Sequence, residues 1–135
     1  MTWWPKSRRR KPGDRQHPVL DLLRAKAFNI DQANVLRESG EEFGPPARQR
    51  YAALLKQSFR DLATDPKQPG IKNVPGLPGV FSYHMRHSRD AVPAGMRVRK
   101  PRHVIFFRII DEGHGLLLLR LLHDRMLPED RIPGG

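Results

Sequence analysis

The longest apolar pattern lies late in the chain, in HVIFFRIIDEGHGLLLLRLLHDRM from His103 to Met126. Val104 to Ile110 is β-branched and aromatic with Arg108 as its only charge, and Leu116 to Leu122 is apolar except for Arg120. Between them Asp111-Glu112-Gly113-His114-Gly115 supplies turn chemistry. Each run is too short to cross a bilayer and too apolar for a strand wetted on one face. Both are predicted to be strands lying mid-sheet, covered on both sides, or with one face against a helix and the other against a partner.

Upstream, the period changes. Val19 to Leu23 reads as a short strand or the first turn of a helix, with strand preferred. Asn29 is placed as a helix N-cap with Gln32 three residues on. Ile30, Ala33, Leu36, Gly40 and Phe43 then recur at three- and four-residue spacing as the apolar face. Gly44 ends this helix, and Pro45-Pro46 starts the next, where missing N–H groups cost least. Tyr51, Leu54, Leu55, Phe59 and Leu62 form the second stripe, and Asp65-Pro66 stops it. So short a connection predicts an antiparallel helical hairpin. Lys67 to Gly79 is a loop by its Pro-Gly pairs. Val80 to His87 alternates, with Phe81, Tyr83 and Met85 on one face and Ser82, His84 and Arg86 on the other, and is predicted as a strand. A long connection follows from Ser88 to Arg102, and after Met126 the chain reads as a short polar tail. The order predicts an α+β fold: a helical hairpin packed on one face of a small, twisted, mainly antiparallel sheet. The second stripe is expected to pack on Phe81, Tyr83, Phe107 and Leu119.

Composition narrows the setting. The 135 residues suit a single domain over 19–135, preceded by a basic extension over 1–18. The extension, MTWWPKSRRRKPGDRQHP, lacks periodicity and is expected to be a solvated, disordered arm or the product of an upstream start codon. Its functional alternative is a nucleic-acid-binding arm with Trp3 and Trp4 as stacking groups. Cysteine is absent, so disulfides and thiolate metal sites are excluded. Neither a transmembrane span nor an apolar signal region is evident, and cytoplasm is the expected location, with no membrane contact. The net charge is +11, concentrated in residues 1–24 and 84–108. The second stretch carries Arg86, Arg89, Arg97, Arg99, Lys100, Arg102 and Arg108 against Asp90 alone. Such a loop exceeds what solubility needs, so residues 86–102 are expected to contact an acidic protein or a nucleic-acid backbone.

Taken in order, certain pieces resemble a known family. They are Phe43-Gly44…Ala47…Arg50-Tyr51, Leu62-Ala63…Asp65-Pro66, Tyr83-His84-Met85-Arg86-His87-Ser88-Arg89, Pro101-Arg102-His103 with Phe107-Arg108, and Leu119 to Met126. From about Asp31 to Pro133 the chain resembles the ParE-like toxins of the RelE/ParE superfamily, the toxin half of type II toxin–antitoxin modules and plasmid stabilisation systems. The resemblance implies a toxin neutralised by a cognate antitoxin whose segment wraps the hairpin and sheet. It implies DNA gyrase as the target on the ParE side, or mRNA cut on the ribosome on the RelE side. An inactive member acting only as a binding module is a third alternative. The basic prefix and the acidic Asp124…Glu129-Asp130 depart from the family.

Within that reading the sites are as follows. An antitoxin is expected to cover the helical groove at Tyr51 and to pair its acids with Arg86, Arg89 or Arg108. The target is expected at the exit of the last strand, His123-Asp124-Arg125-Met126. A nuclease would draw its base from His123 and its phosphate cations from Arg86, Arg108, Arg120 or Arg125, with His123, Arg120 and Arg125 as the candidate catalytic set. However, a strand places Arg120 with Leu122 on one face and Leu121 with His123 on the other, so His123 and Arg120 do not act as a pair. The alternative for His123 is a strand-end histidine bonded to backbone. No cofactor is expected. No metal site is expected either, since His84 and His87 on one strand would point to opposite faces.

Overall fold

A computed structural model describes residues 19–133. The expectations for the 1–18 prefix, Trp3 and Trp4 included, lie outside the described residues. The elements are β1 (Asp21–Arg24), α1 (Lys26–Phe43), α2 (Pro45–Thr64), β2 (Lys72–Asn73), β3 (Phe81–His84), β4 (His103–Ile110) and β5 (Gly115–His123). The five strands form one sheet in the order β1-β5-β4-β3-β2, with β1 parallel to β5 and the other pairs antiparallel. The helical hairpin lies on one face, as the α+β reading requires, and the two apolar strands β4 and β5 are interior to the sheet.

Gly44 makes the hairpin possible. Its φ of 92° is a left-handed value that other residues resist, its N–H bonds Gly40 O, and Pro45 opens α2 at once. The start of α1 differs from expectation. The N-cap is Ala25, without a side-chain cap, and Asn29 lies inside the first turn. Strand β1 sets this start, because the Ala25 N–H bonds Leu118 O at 2.9 Å and turns the chain upward off the sheet. An earlier start brings Phe28 into the helix, and Phe28 with Val35, two turns on, defines the buried side. The stripe read from Ile30 to Phe43 is therefore not the core face: Ile30 is 52% and Phe43 70% exposed, and only Leu36 of that set packs inward. On α2 the expected stripe holds, with Tyr51, Leu54, Leu55 and Leu62 buried and Phe59 half-buried against Phe28.

The hairpin stripe meets Tyr83, Ile105, Phe107, Leu116, Leu118 and Leu121 from the sheet, with Phe81 at its margin. Leu119, expected in this layer, faces the other way. A bulge opposite Phe106 and Phe107 leaves Leu119 without a strand partner, since Phe106 pairs with Arg120 and Phe107 with Leu118. Below the bulge the alternation resumes with Leu121 on the helix face and Leu122 on the far face.

That far face is closed by the chain itself. Val74, Leu77, Val80 and Ile132 cover Phe106 and Leu122, with Val104 and Leu119 alongside. The C-terminal stretch is thus more than a polar tail. Ile132 is 4% exposed, and Arg131 O accepts from Arg120 Nη1 at 2.9 Å. Strand β3 is also shorter than its alternation suggested, because a 3-10 helix (Met85–Ala91) begins where Arg86 N–H bonds back to His84 Nδ1. His87 therefore sits on that turn, and the strand geometry invoked for His84 and His87 does not apply. Ser88, fully buried on the same turn, ties it to β3 through Tyr83 Oη and to α2 through Asp61, to whose carboxylate it donates.

Candidate functional site

Antiparallel pairing brings the C-termini of β3 and β5 and the N-terminus of β4 to one end of the sheet. The register sets His84 against Val104 and His103 against His123. The second turn of α2 adds Tyr51 from above. Its hydroxyl lies 2.6 Å from His103 Nδ1, and it accepts from Arg102 N–H at 3.2 Å. The ring of His103 is wedged edge-on between Tyr51 and His123, at centroid distances of 5.4 and 5.5 Å. On the outer side His84 Nε2 meets Asp124 Oδ2 at 3.1 Å, and Asp124 Oδ1 is 3.3 Å from His123 Nδ1. Asp124 N–H bonds Arg102 O at 2.8 Å, so the strand ends are tied to one another by backbone as well.

Backbone donors fix the proton positions, because a ring nitrogen facing an N–H must accept. Arg86 N–H donates to His84 Nδ1 at 3.0 Å, so the neutral ring carries its proton on Nε2 and donates it to Asp124. Arg125 N–H donates to His123 Nδ1 at 3.2 Å. Tyr51 already accepts from Arg102, and its buried hydroxyl needs an acceptor, so it donates to His103 Nδ1. Burial, followed by the His123 charge, holds His103 down to about 4. Burial also pushes the Tyr51 phenol up to about 12, against the Arg102 backbone bond. At Asp124 burial raises the carboxyl, but the His84 bond and the charges of His123, His84 and Arg102 outweigh it and hold the group below its ordinary range.

The predicted residues fall into two groups. His123, Asp124, Arg125 and Met126 gather at this sheet end, with Arg125 and Met126 exposed. Arg120 stands apart. It pairs with Phe106 on the far face, and its guanidinium is clasped bidentately by Asp31 of α1 at 2.7 and 3.0 Å. The separation of Arg120 from His123 follows the alternation read from sequence. Of the cations assigned to an antitoxin, Arg86 is exposed, Arg89 Nε donates to Val98 O, and Arg108 Nη1 donates to Pro78 O. Tyr51 is buried, with its hydroxyl engaged as described.

Sequence reasoning missed the Tyr51–His103 bond and the facing of His103 on His123. The latter had a signal: His103 and His123 lie equally far on either side of Gly113, and the bulge at Phe106/Phe107 brings the register from Ile110–Gly115 into line with that pairing. Tyr51 and His103 are joined only by the docking of α2, and no local pattern reports that.

A five-stranded mixed sheet under one helical hairpin, with a polar cluster at the sheet end, is an α+β architecture. The chain belongs to the ParE toxin family of type II toxin–antitoxin systems (parDE), whose family model matches residues 26–128. It is similar to a solved structure of a chromosomal ParDE toxin–antitoxin system from P. aeruginosa, at 14% identity and a TM-score of 0.57, covering 78% of this chain and 96% of that one. It is also similar to the RelBE2 toxin–antitoxin complex from Mycobacterium tuberculosis, at 21% identity and a TM-score of 0.49, covering 77% and 96%. No curated protein matches.

Proposed function

We propose that this toxin acts by binding rather than by cleavage, with DNA gyrase as its target and a cognate antitoxin as its inhibitor. The observation that carries this reading is the state of the imidazoles. The Nδ1 lone pairs of His84, His103 and His123 are all engaged by backbone or phenol donors, so the three neutral rings present N–H groups and no free base. The guanidinium of Arg120, a second candidate phosphate clamp, is instead held by Asp31 of α1. A donor-rich strand end with exposed Arg125, Met126 and Leu127 suits a protein contact, in which an arginine borders an apolar anchor. The antitoxin's acidic segment would meet Arg86 directly, and Arg89 and Arg108 through donors left over from their carbonyl bonds. Tyr51 would offer it only the edge that burial leaves. Family membership supports the antitoxin, and the cytoplasm is where both partners would be met.

One contact favours a second reading. Asp124 Oδ1 is 3.3 Å from His123 Nδ1, and with Nδ1 turned off Arg125 N–H the ring could exchange with solvent to its Nδ1–H tautomer, donate to Asp124, and leave Nε2 as a base for RNA cleavage. The two readings separate on expression of the parent, His123→Ala and Arg125→Ala without antitoxin, with gyrase supercoiling and RNA cleavage assayed in parallel. Loss of supercoiling in the parent, relieved by Arg125→Ala, is expected. Cleaved RNA from the parent, abolished by His123→Ala while antitoxin binding survives, would overturn the binding reading.

A further inference from the structure

Three arginines flank the polar cluster in a repeated pattern: Arg86 two residues after His84, Arg102 directly before His103, and Arg125 two residues after His123. The backbone N–H of each is pinned to the cluster, to His84 Nδ1, Tyr51 Oη and His123 Nδ1 respectively. Their side chains have no hydrogen-bond or ion-pair partner among the described residues, and Arg86 and Arg125 are exposed. Arg99 and Lys100 extend the charge along the approach to β4. The acid among them, Asp124, is engaged by His84 Nε2. The neighbouring Arg89 and Arg97 are different. They are bonded to Val98 O, and to Val92 O and Asp90 O, and so hold the loop's shape. The backbones of Arg86, Arg102 and Arg125 are thus fixed around the cluster while their guanidiniums are unengaged and able to pair with an anion.

We propose that this sheet end docks the sugar–phosphate backbone of duplex DNA. The three guanidiniums, with Arg99 and Lys100 beside them, supply charged donors, and a phosphate backbone supplies the closely spaced anionic acceptors that match them. A single strand is disfavoured because its recognition needs exposed rings for stacking. Of the described phenyl and phenol rings, the one beside this surface, Tyr51, is buried, and the exposed Phe43 lies at the far tip of the hairpin. The contact is independent of sequence, since no group reaches for base edges. It supplies the DNA end of a ternary contact with a DNA-bound target, and it stands whether or not gyrase is that target.

The test is fluorescence anisotropy of the full chain with a labelled mixed-sequence duplex across a salt series. The basic prefix is present in every variant, so its contribution is common to all. For Arg86→Gln/Arg102→Gln/Arg125→Gln the salt slope should fall by about three, one for each phosphate no longer neutralised. The corresponding triple lysine variant should restore it, which separates an effect of charge from an effect on folding, and Lys26→Gln on α1 should match the parent. The proposal is overturned if the glutamine triple keeps the parent slope, or if only single-stranded DNA or RNA shows the loss. It is also overturned if labelled polyglutamate binds the parent more tightly than duplex and loses that binding in the triple, since the surface would then be one for an acidic protein. Supercoiling is not read in this experiment, so its failure and that of the gyrase reading are distinguishable.

Discussion

Replacing Asp31 by alanine is expected to destabilise the domain by about 2–3 kcal/mol, because it removes a partner from a largely buried ion pair. Asp31 accepts from Arg120 Nε at 2.7 Å, from Arg120 Nη2 at 3.0 Å, and from Leu121 N–H at 3.0 Å. Side-chain exposure is 12% for Asp31 and 22% for Arg120. Breaking a fully buried pair costs roughly 3–5 kcal/mol. The lower figure applies here because Arg120 keeps its bond to Arg131 O and retains some water. The Leu121 N–H lies on β5 beyond the last residue paired with β1, so Asp31 supplies the acceptor that a strand neighbour would otherwise provide. Asp31→Asn retains an acceptor for that N–H and should lose about half as much. Urea denaturation reads the difference as a shifted midpoint at unchanged slope. A double-mutant cycle with Arg120→Met should give a coupling of at least about 1 kcal/mol. A loss below about 0.5 kcal/mol for Asp31→Ala, or no coupling, would refute the view that this clasp joins α1 to the sheet.

Three further outcomes are expected. Leu55→Ala, at a position 2% exposed, should cost about 2–5 kcal/mol in the same titration. His103, held down to about 4 against an unfolded value near 6.5, leaves the unfolded chain binding more protons between those limits. Stability should therefore rise with pH across that window, be lost as pH falls through it, and flatten there in His103→Phe, as read by thermal midpoints at each pH. Glu112→Gly should stabilise by about 1 kcal/mol, because Glu112 at φ 53° occupies the left-handed region without the freedom glycine has, and an unchanged midpoint would remove strain from the account of this turn.

What the sequence disclosed depended on whether a feature was local. The turn between β4 and β5, the Gly44-Pro45 hairpin and the α2 stripe are each set by neighbouring residues, and all stand where the pattern put them. The α1 face failed because two apolar sets share helical spacing. Phe28 decides between them only once β1 is known to deliver the chain to Ala25. Leu119 failed because one unpaired residue in β5 shifts the alternation, and nothing in LLLLRLL marks where a bulge falls. At the site, the strand-exit residues and the separation of Arg120 from His123 were legible from period alone. The Tyr51–His103 bond and the Asp31–Arg120 clasp span 52 and 89 residues and depend on how the hairpin docks.

The parallel pairing of β1 with β5 has a consequence for how the chain is made. Asp21 must wait for Gly115, and Ala25 for Leu118, before either finds its partner. At roughly 5–20 residues per second of synthesis, the hairpin exists for several seconds with Phe28, Leu54, Leu55 and Leu62 uncovered. Strand β5, which helps cover them, is among the last segments to emerge. The strand-end cluster needs Tyr51, His84, His103 and His123 together, so it assembles only with that final step. A nascent chain therefore lacks the completed strand-end cluster until translation is nearly finished.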